Sequence, residues 1–141
     1  MRVVVFGASG TIGRALLPAL DREHEVVAVS RRARAARSGR VRWAVADAGD
    51  AASVRRVLEG TEVVYYLVHS LDSPDFEERD RRAAETVARE AERAEVAQII
   101  YLGGLGDDTP GLSPHLRSRI ETGQRLASGT VPLTVKNLPP A

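Results

Sequence analysis

An open, doubly wound parallel α/β sheet is the fold this 141-residue chain predicts, and three observations carry that reading. Strand-like and helix-like segments alternate from the first residue, which implies right-handed crossovers and parallel strands. The strand-like runs are short, β-branched and continuously apolar, as strands covered on both faces are. A glycine-rich turn joins the first of them to the first helical segment.

Each element has its own justification in the sequence. Arg2–Phe6 is a short apolar run and reads as the first strand. Thr11–Asp21 sets Ile12, Leu16, Leu17 and Leu20 at helical spacing, with Pro18 inside expected to kink the helix. Glu25–Ser30 and Val41–Val45 read as the second and third strands. Asp50–Glu59 is a short helix with Val54, Val57 and Leu58 as its apolar stripe, closed by Gly60. Thr61–Val68 is the most apolar strand and is expected at the centre of the sheet. Phe76–Ala94 is a long helix whose inward stripe is Phe76, Ala83, Ala84, Val87, Ala91 and Ala94. On its outer face Glu77–Arg81, Glu78–Arg82 and Glu85–Arg89 are expected to pair at i,i+4. Gln98–Leu102 is a fifth strand, Pro114–Ser128 a helix closed by Gly129, and Pro132–Val135 the start of a sixth strand. Five to six strands with helices on both faces thus make one domain over residues 1–135. Residues 136–141, with Pro139 and Pro140, are expected to form an unstructured tail.

Composition narrows the function classes. Twenty basic residues balance 19 acidic ones for a formal charge of +1, so nothing global draws the chain to nucleic acid or to an anionic membrane. Six arginines crowd the stretch from Arg31 to Arg42, but no aromatic residue interleaves them for base stacking, and they read as a solvated loop. The absence of cysteine removes disulfides, thiolate zinc sites, iron–sulfur clusters and thiol nucleophiles. His24, His69 and His115 are too scattered for a histidine metal site. No apolar run approaches the roughly 18 residues that span a bilayer. The strand-like run begins at once and leaves no room for a secretory leader, so a cytoplasmic location is expected.

The motif with the most chemistry follows the first strand. Gly7, Gly10 and Gly13 give G-x-x-G-x-x-G leading straight into a helix. Gly7 suits the tight turn off the strand, Gly10 removes a Cβ where a pyrophosphate approaches backbone, and Gly13 lets the helix pack on the sheet. Amides around Ser9, Thr11 and Ile12 then meet the phosphates at the helix N-terminus. No Lys-Ser/Thr follows, so a mononucleotide P-loop is excluded, and Thr11 stands where a G-x-S-x-G hydrolase turn needs glycine. At the end of the second strand, where NAD sites usually carry an acidic residue, stand Ser30, Arg31 and Arg32. A guanidinium there holds a 2′-phosphate that a carboxylate would repel. NADP(H) is therefore favoured over NAD(H).

These residues resemble the short-chain dehydrogenase/reductase superfamily, in its extended and atypical NmrA-like branch, whose fold is the NAD(P)-binding Rossmann fold. The resemblance is carried by V-V-V-F-G-A-S-G-T-I-G from Val3, A-V-A-D ending at Asp47, and V-V-Y-Y-L-V-H-S from Val63. I-I-Y-L-G-G-L from Ile99, H-L-R-S-R-I-E-T-G from His115 and V-P-L-T-V from Val131 extend it. It implies that Asp47 meets the adenine amino group with Ala48 beside it. It also implies that Leu67, Val68 and His69 line the adenosine and nicotinamide side of a cleft. His69 either contacts ribose or substrate there, or simply ends its strand.

The departures from that family bear on catalysis. Its members reduce carbonyls with a Tyr-x-x-x-Lys pair and a Ser or Thr. Here Tyr65, Tyr66 and Tyr101 are followed four residues on by His69, Ser70 and Leu105, and the single lysine is Lys136. The strand-five serine is replaced near Gly103 or Gly104. In the corresponding helix His115 and Arg119 stand at the same i,i+4 spacing, on one helix face. Two readings of this pair stay open: a proton donor with an arginine that holds ribose or an acidic substrate, or residues that only line the cleft. The resemblance implies an NADP(H)-dependent oxidoreductase of a small substrate; the alternative is a non-enzymatic module that senses the NADP(H) redox state. Members of the branch continue past the sixth strand. A shortened form lacking most of the substrate region is therefore expected, with apolar surface near that strand favouring homo-oligomers.

Overall fold

Residues 1–32, 41–68, 74–103 and 114–137 are described by the computed structural model. In chain order they form β1 (Arg2–Phe6), α1 (Thr11–Asp21), β2 (Glu25–Ser30), β3 (Val41–Val45) and α2 (Ala51–Leu58). Then come β4 (Val63–Tyr66), α3 (Phe76–Arg93), β5 (Gln98–Gly103), α4 (Pro114–Leu126) and β6 (Leu133–Asn137). The six strands lie in the order β3-β2-β1-β4-β5-β6, every neighbouring pair parallel. This is the doubly wound sheet that the alternating segments predict, with β1 and β4 at its centre.

Alternation of side chains along each strand divides the core between two faces. Val4 lies beside Val27 and Val64 in register, and with Phe6, Val29, Tyr66, Ile99 and Tyr101 it packs under α2, α3 and α4. Val3, Val5, Val26 and Ala28 face the other way, under Leu17 and Leu20 of α1. Helix α1 runs through Pro18. Ala83, Ala84, Val87 and Ala91 of α3 are all buried; their small side chains bring that helix close to the sheet.

The burial of α3 is wider than its apolar stripe. Asp80, Thr86 and Glu90 are also buried, because α2 and α4 pack against its flanks. Glu90 accepts from Arg55 of α2 at 2.8 Å, and Asp80 accepts from the Ser118 hydroxyl of α4 at 3.1 Å. The outer charges pair differently from the i,i+4 expectation. Arg81 reaches Glu78 and, across to α4, Glu121, both at 2.8 Å, while Glu85 meets Arg125 at 3.3 Å. A second helix lies within reach, so these charges tie α3 to α4 instead of decorating one helix.

Several strand boundaries differ from the sequence reading: β4 begins at Val63 instead of Thr61, β5 runs one residue further to Gly103, and β6 begins at Leu133 instead of Pro132. β4 stops at Tyr66 instead of Val68, although the Leu67 N–H still donates to Phe6 at 3.0 Å; Leu67 and Val68 turn out of the ladder. β6 continues to Asn137, two residues past the boundary expected at Val135, because Lys136 and Asn137 pair with Leu102 and Gly103. Strand order reverses between β1 and β4, so the carboxyl ends of those strands open a crevice there.

Candidate functional site

That crevice holds a cleft of about 740 Å³. Its floor is the turn after β1. Gly7 has φ +79°, and a Cβ on it would stand 2.9 Å from the Leu67 carbonyl carbon, so this turn requires glycine. A Cβ on Gly13 would lie 2.5 Å from the Ala8 carbonyl oxygen; its absence lets α1 sit against the strand end. Gly10 is different. A Cβ there would meet only the Gly7 oxygen, at 3.6 Å, so packing does not demand glycine at this position, and its open side belongs to the cleft.

The first intrahelical acceptor of α1 is the Gly10 carbonyl, bonded by the Arg14 N–H at 2.9 Å. The amides of Thr11, Ile12 and Gly13 precede it and are the donors a helix start leaves without carbonyl partners. They point, with the positive end of the helix dipole, into a cradle lined by Ser9 and the three glycines, suited to a diphosphate. The residues present thus fit a dinucleotide.

Around this floor the cleft collects most of the predicted residues. Gly7, Ser9, Gly10, Thr11, Ile12, Gly13, Arg31, Asp47, Ala48, Leu67, Val68 and Arg119 all line it. Asp47 is held by local turns: its Oδ1 accepts the Gly49 N–H at 2.9 Å, and its N–H donates to the Ser53 hydroxyl at 3.2 Å. Ser30, buried at the end of β2, accepts from the Arg32 N–H at 3.2 Å. That turn presents Arg31 to the cleft and leaves Arg32 outside the lining. His69 and Gly104 lie outside the described residues, as does the side chain of His115, whose backbone belongs to the first turn of α4.

Arg119 is anchored from below. Its carbonyl accepts the Tyr101 hydroxyl at 2.9 Å, and the neighbouring Ser118 is tied to Asp80. Its Nε is buried and has no partner among the described residues. Tyr66 and Tyr101 belong to the core instead of the cleft, with ring centroids 6.1 Å apart and planes tilted by 58°. Burial pushes both phenols up from their ordinary value, so neither gives up a proton near neutrality.

Sequence reasoning missed part of the lining. Arg79, Arg82 and Ala83 contribute from the first turns of α3, and Leu102 from the end of β5. Arg82 was expected on the outer face of α3, paired with Glu78; it borders the cleft because that helix begins at the carboxyl end of the sheet. The available signal was position: the first two turns after a central strand face the crevice in such a fold.

Comparison with known proteins agrees with this geometry. A family model described as NAD(P)H-binding matches residues 7–126. No curated protein sequence matches the chain. Among solved structures, the chain is similar to the Bordetella bronchiseptica enzyme WbmG in complex with NAD and UDP, with a TM-score of 0.80 at 17% identity, over 96% of this chain and 52% of that one. It is similar to uronate dehydrogenase from Agrobacterium tumefaciens (TM-score 0.74, 17% identity, 87% and 53% covered). DesIV, a dTDP-glucose 4,6-dehydratase from Streptomyces venezuelae, matches with a TM-score of 0.70 at 19% identity, over 96% and 55%. The chain spans about half the length of these structural relatives. Among the described residues no helix is long and apolar enough to cross a membrane. With the family model covering most of its length and the sheet, glycine turn and cleft in place, the chain belongs to the NAD(P)H-binding family and carries a Rossmann fold.

Proposed function

We propose that this domain binds NADP(H) in preference to NAD(H) and serves an oxidoreductase acting on a small carbonyl- or quinone-like substrate. The observation that supports the choice of cofactor is Arg31 on the cleft lining at the end of β2, with no carboxylate at that strand end. A guanidinium there takes the 2′-phosphate by paired charge-assisted hydrogen bonds. The glycine-turn amides bind the diphosphate, and Asp47 and Ala48 border the adenine. Leu67 and Val68 carry the lining toward the nicotinamide, and His69, next in sequence, is the candidate ribose or substrate contact.

Bound NADP(H) supplies a hydride donor or acceptor. The chain's own residues supply position and protons. Arg119, fixed through Tyr101 and the Ser118–Asp80 contact, holds the substrate or ribose. His115, one turn earlier on the same helix, would be the residue that gives a proton to a substrate carbonyl oxygen. The buried tyrosines take no part.

Thermal shift and fluorescence titration with NADPH and NADH test the cofactor reading. NADPH is expected to raise Tm more than NADH, and replacing Arg31 and Arg32 with alanine to erase the difference. Equal shifts in the unmodified chain refute the preference. An NADPH-oxidation screen against aldehydes and quinones tests turnover, and activity that survives His115→Ala removes that residue from the proton-donor role.

A further inference from the structure

The cleft carries more cationic charge than the dinucleotide reading uses. Four arginines, Arg31, Arg79, Arg82 and Arg119, share the lining with two carboxylates, Asp47 and Asp50. The charges are sorted by element. Both aspartates follow β3, where Asp47 caps its own turn and Asp50 precedes α2. Three of the arginines belong to the helices on the other side of the crevice: Arg79 and Arg82 to the first turns of α3, and Arg119 to α4.

Arg119 is the informative one. Its backbone is pinned by the Tyr101 hydroxyl at 2.9 Å, yet its buried Nε finds no acceptor among the described residues. A buried donor left unpaired is destabilising, and an anionic acceptor within its reach removes that cost. A guanidinium fork fits carboxylate and phosphate oxygens alike.

The dinucleotide's own phosphates are accounted for elsewhere. The diphosphate belongs over the turn after β1. Arg119 is tied through its carbonyl to Tyr101 of β5, two strands away from β1 in the sheet order, and two strand spacings are about 9–10 Å. An anion received at Arg119 is therefore distinct from the diphosphate. We infer that the substrate of this domain carries a carboxylate or phosphate group, received by Arg119, with Arg82 and Arg79 adding charge from α3. This assignment rests on the reading of the cleft as a dinucleotide site.

The test uses the full chain, with and without saturating NADPH, titrated with succinate, with inorganic phosphate, and with 1,4-butanediol as the neutral control. Arginine Nε–Hε resonances and backbone amides are the readout. Either anion is expected to shift the Arg119 Nε–Hε signal while butanediol leaves it unmoved. Arg119→Gln should weaken anion binding by about tenfold or more, and Arg82→Gln by about threefold. Arg89→Gln, an exposed α3 arginine away from the cleft, should change nothing. Anion binding that survives Arg119→Gln, or no binding of either anion, overturns the inference. So does an Arg119→Gln chain that loses NADPH as severely as the anions, since its guanidinium would then serve the cofactor. Failure of the dinucleotide reading looks different: NADPH leaves the Thr11 and Ile12 amides unmoved, while the nucleotide-free titrations still decide the fate of the anion at Arg119.

Discussion

Substituting alanine at Gly10 and at Gly13 should separate binding from folding within one seven-residue turn. A Cβ on Gly13 would sit 2.5 Å from the Ala8 oxygen and 2.7 Å from its carbonyl carbon and Cα, where an ordinary contact begins near 3.4 Å. Those are backbone atoms at a strand end and cannot swing aside, so α1 must move by nearly an ångström. Overpacking of this kind costs about 1–3 kcal/mol; taking the upper end and subtracting about 1 kcal/mol for alanine's better helix propensity leaves about 2 kcal/mol. At about 2–4 °C per kcal/mol, Gly13→Ala should lower Tm by about 4–8 °C. Gly10 has φ −77°, which alanine adopts, and its Cβ would find only one neighbour at 3.6 Å. The gain from a stiffer unfolded chain, about 0.4–1 kcal/mol, offsets alanine's weakness as an N-cap. Stability should therefore stay within about 1 kcal/mol of the unmodified chain. The methyl nevertheless occupies the space where the diphosphate meets the helix start, and NADPH affinity should fall by about tenfold or more, at least 1.4 kcal/mol. Urea melts followed through Trp43, the single tryptophan, give stability, and fluorescence titration gives affinity. A Gly10→Ala chain that binds NADPH normally would show that no phosphate approaches that residue. A Gly13→Ala chain as stable as the parent would refute the close packing of α1 on the strand.

Two further outcomes test the core. Glu90 is buried, and the Arg55 guanidinium bonded to it holds its carboxyl below the usual carboxylate value. A depressed folded-state value means that the pair's stabilisation is complete above the unfolded-state value and is lost as pH falls through the folded one; Glu90→Gln should flatten the acid limb of the stability profile below about pH 5, and an unchanged limb counts against the pair. Tyr66 is fully buried and its hydroxyl has no partner among the described residues, so Tyr66→Phe should leave stability unchanged or raise it by about 1 kcal/mol in urea melts. A loss greater than about 1 kcal/mol would show that the hydroxyl is bonded in solution.

The fold was legible because its determinants are local or periodic. Continuous β-branched runs such as Val3–Phe6 and Val26–Val29 have one use in a chain this size, as strands covered on both faces. The most apolar run is at the sheet centre, beside β1, far from both edge strands. The glycine turn was legible for the same reason: three backbone demands at fixed spacing, each satisfied by one residue type. Where the sequence misled, a tertiary neighbour decided. Glu77, Glu78 and Glu85 have arginines four residues on, yet α4 lies close enough that Arg81 bridges to Glu121 and Arg125 comes back to Glu85. Buried Asp80 and Glu90 look like surface residues on a helical wheel. Their burial depends on which helices flank α3, and no spacing within α3 records that.

The cleft shows the same division. Residues fixed by chain direction, the glycine turn and Arg31 at the end of β2, are readable because a strand's carboxyl end and the residue after it are sequence-local. Arg82 is not, and Arg119 is reached only through its i,i+4 spacing from His115. Both are helix arginines among many, and what distinguishes them is depth: Arg82 lies in the second turn of a helix that starts at the crevice, and Arg119 lies over the end of a strand two places from β1. A helix rises about 1.5 Å per residue, so one turn is the difference between a side chain that meets a ligand and one that meets water. The turn is set by where each loop hands the chain to its helix, and the loops before α3 and α4 have no periodicity from which to read that position. In a protein with 19 arginines and a single lysine, residue type gives no help either. Arg89 and Arg119 differ through their surroundings: one is exposed, and the other lines the cleft and keeps a buried Nε with no partner among the described residues.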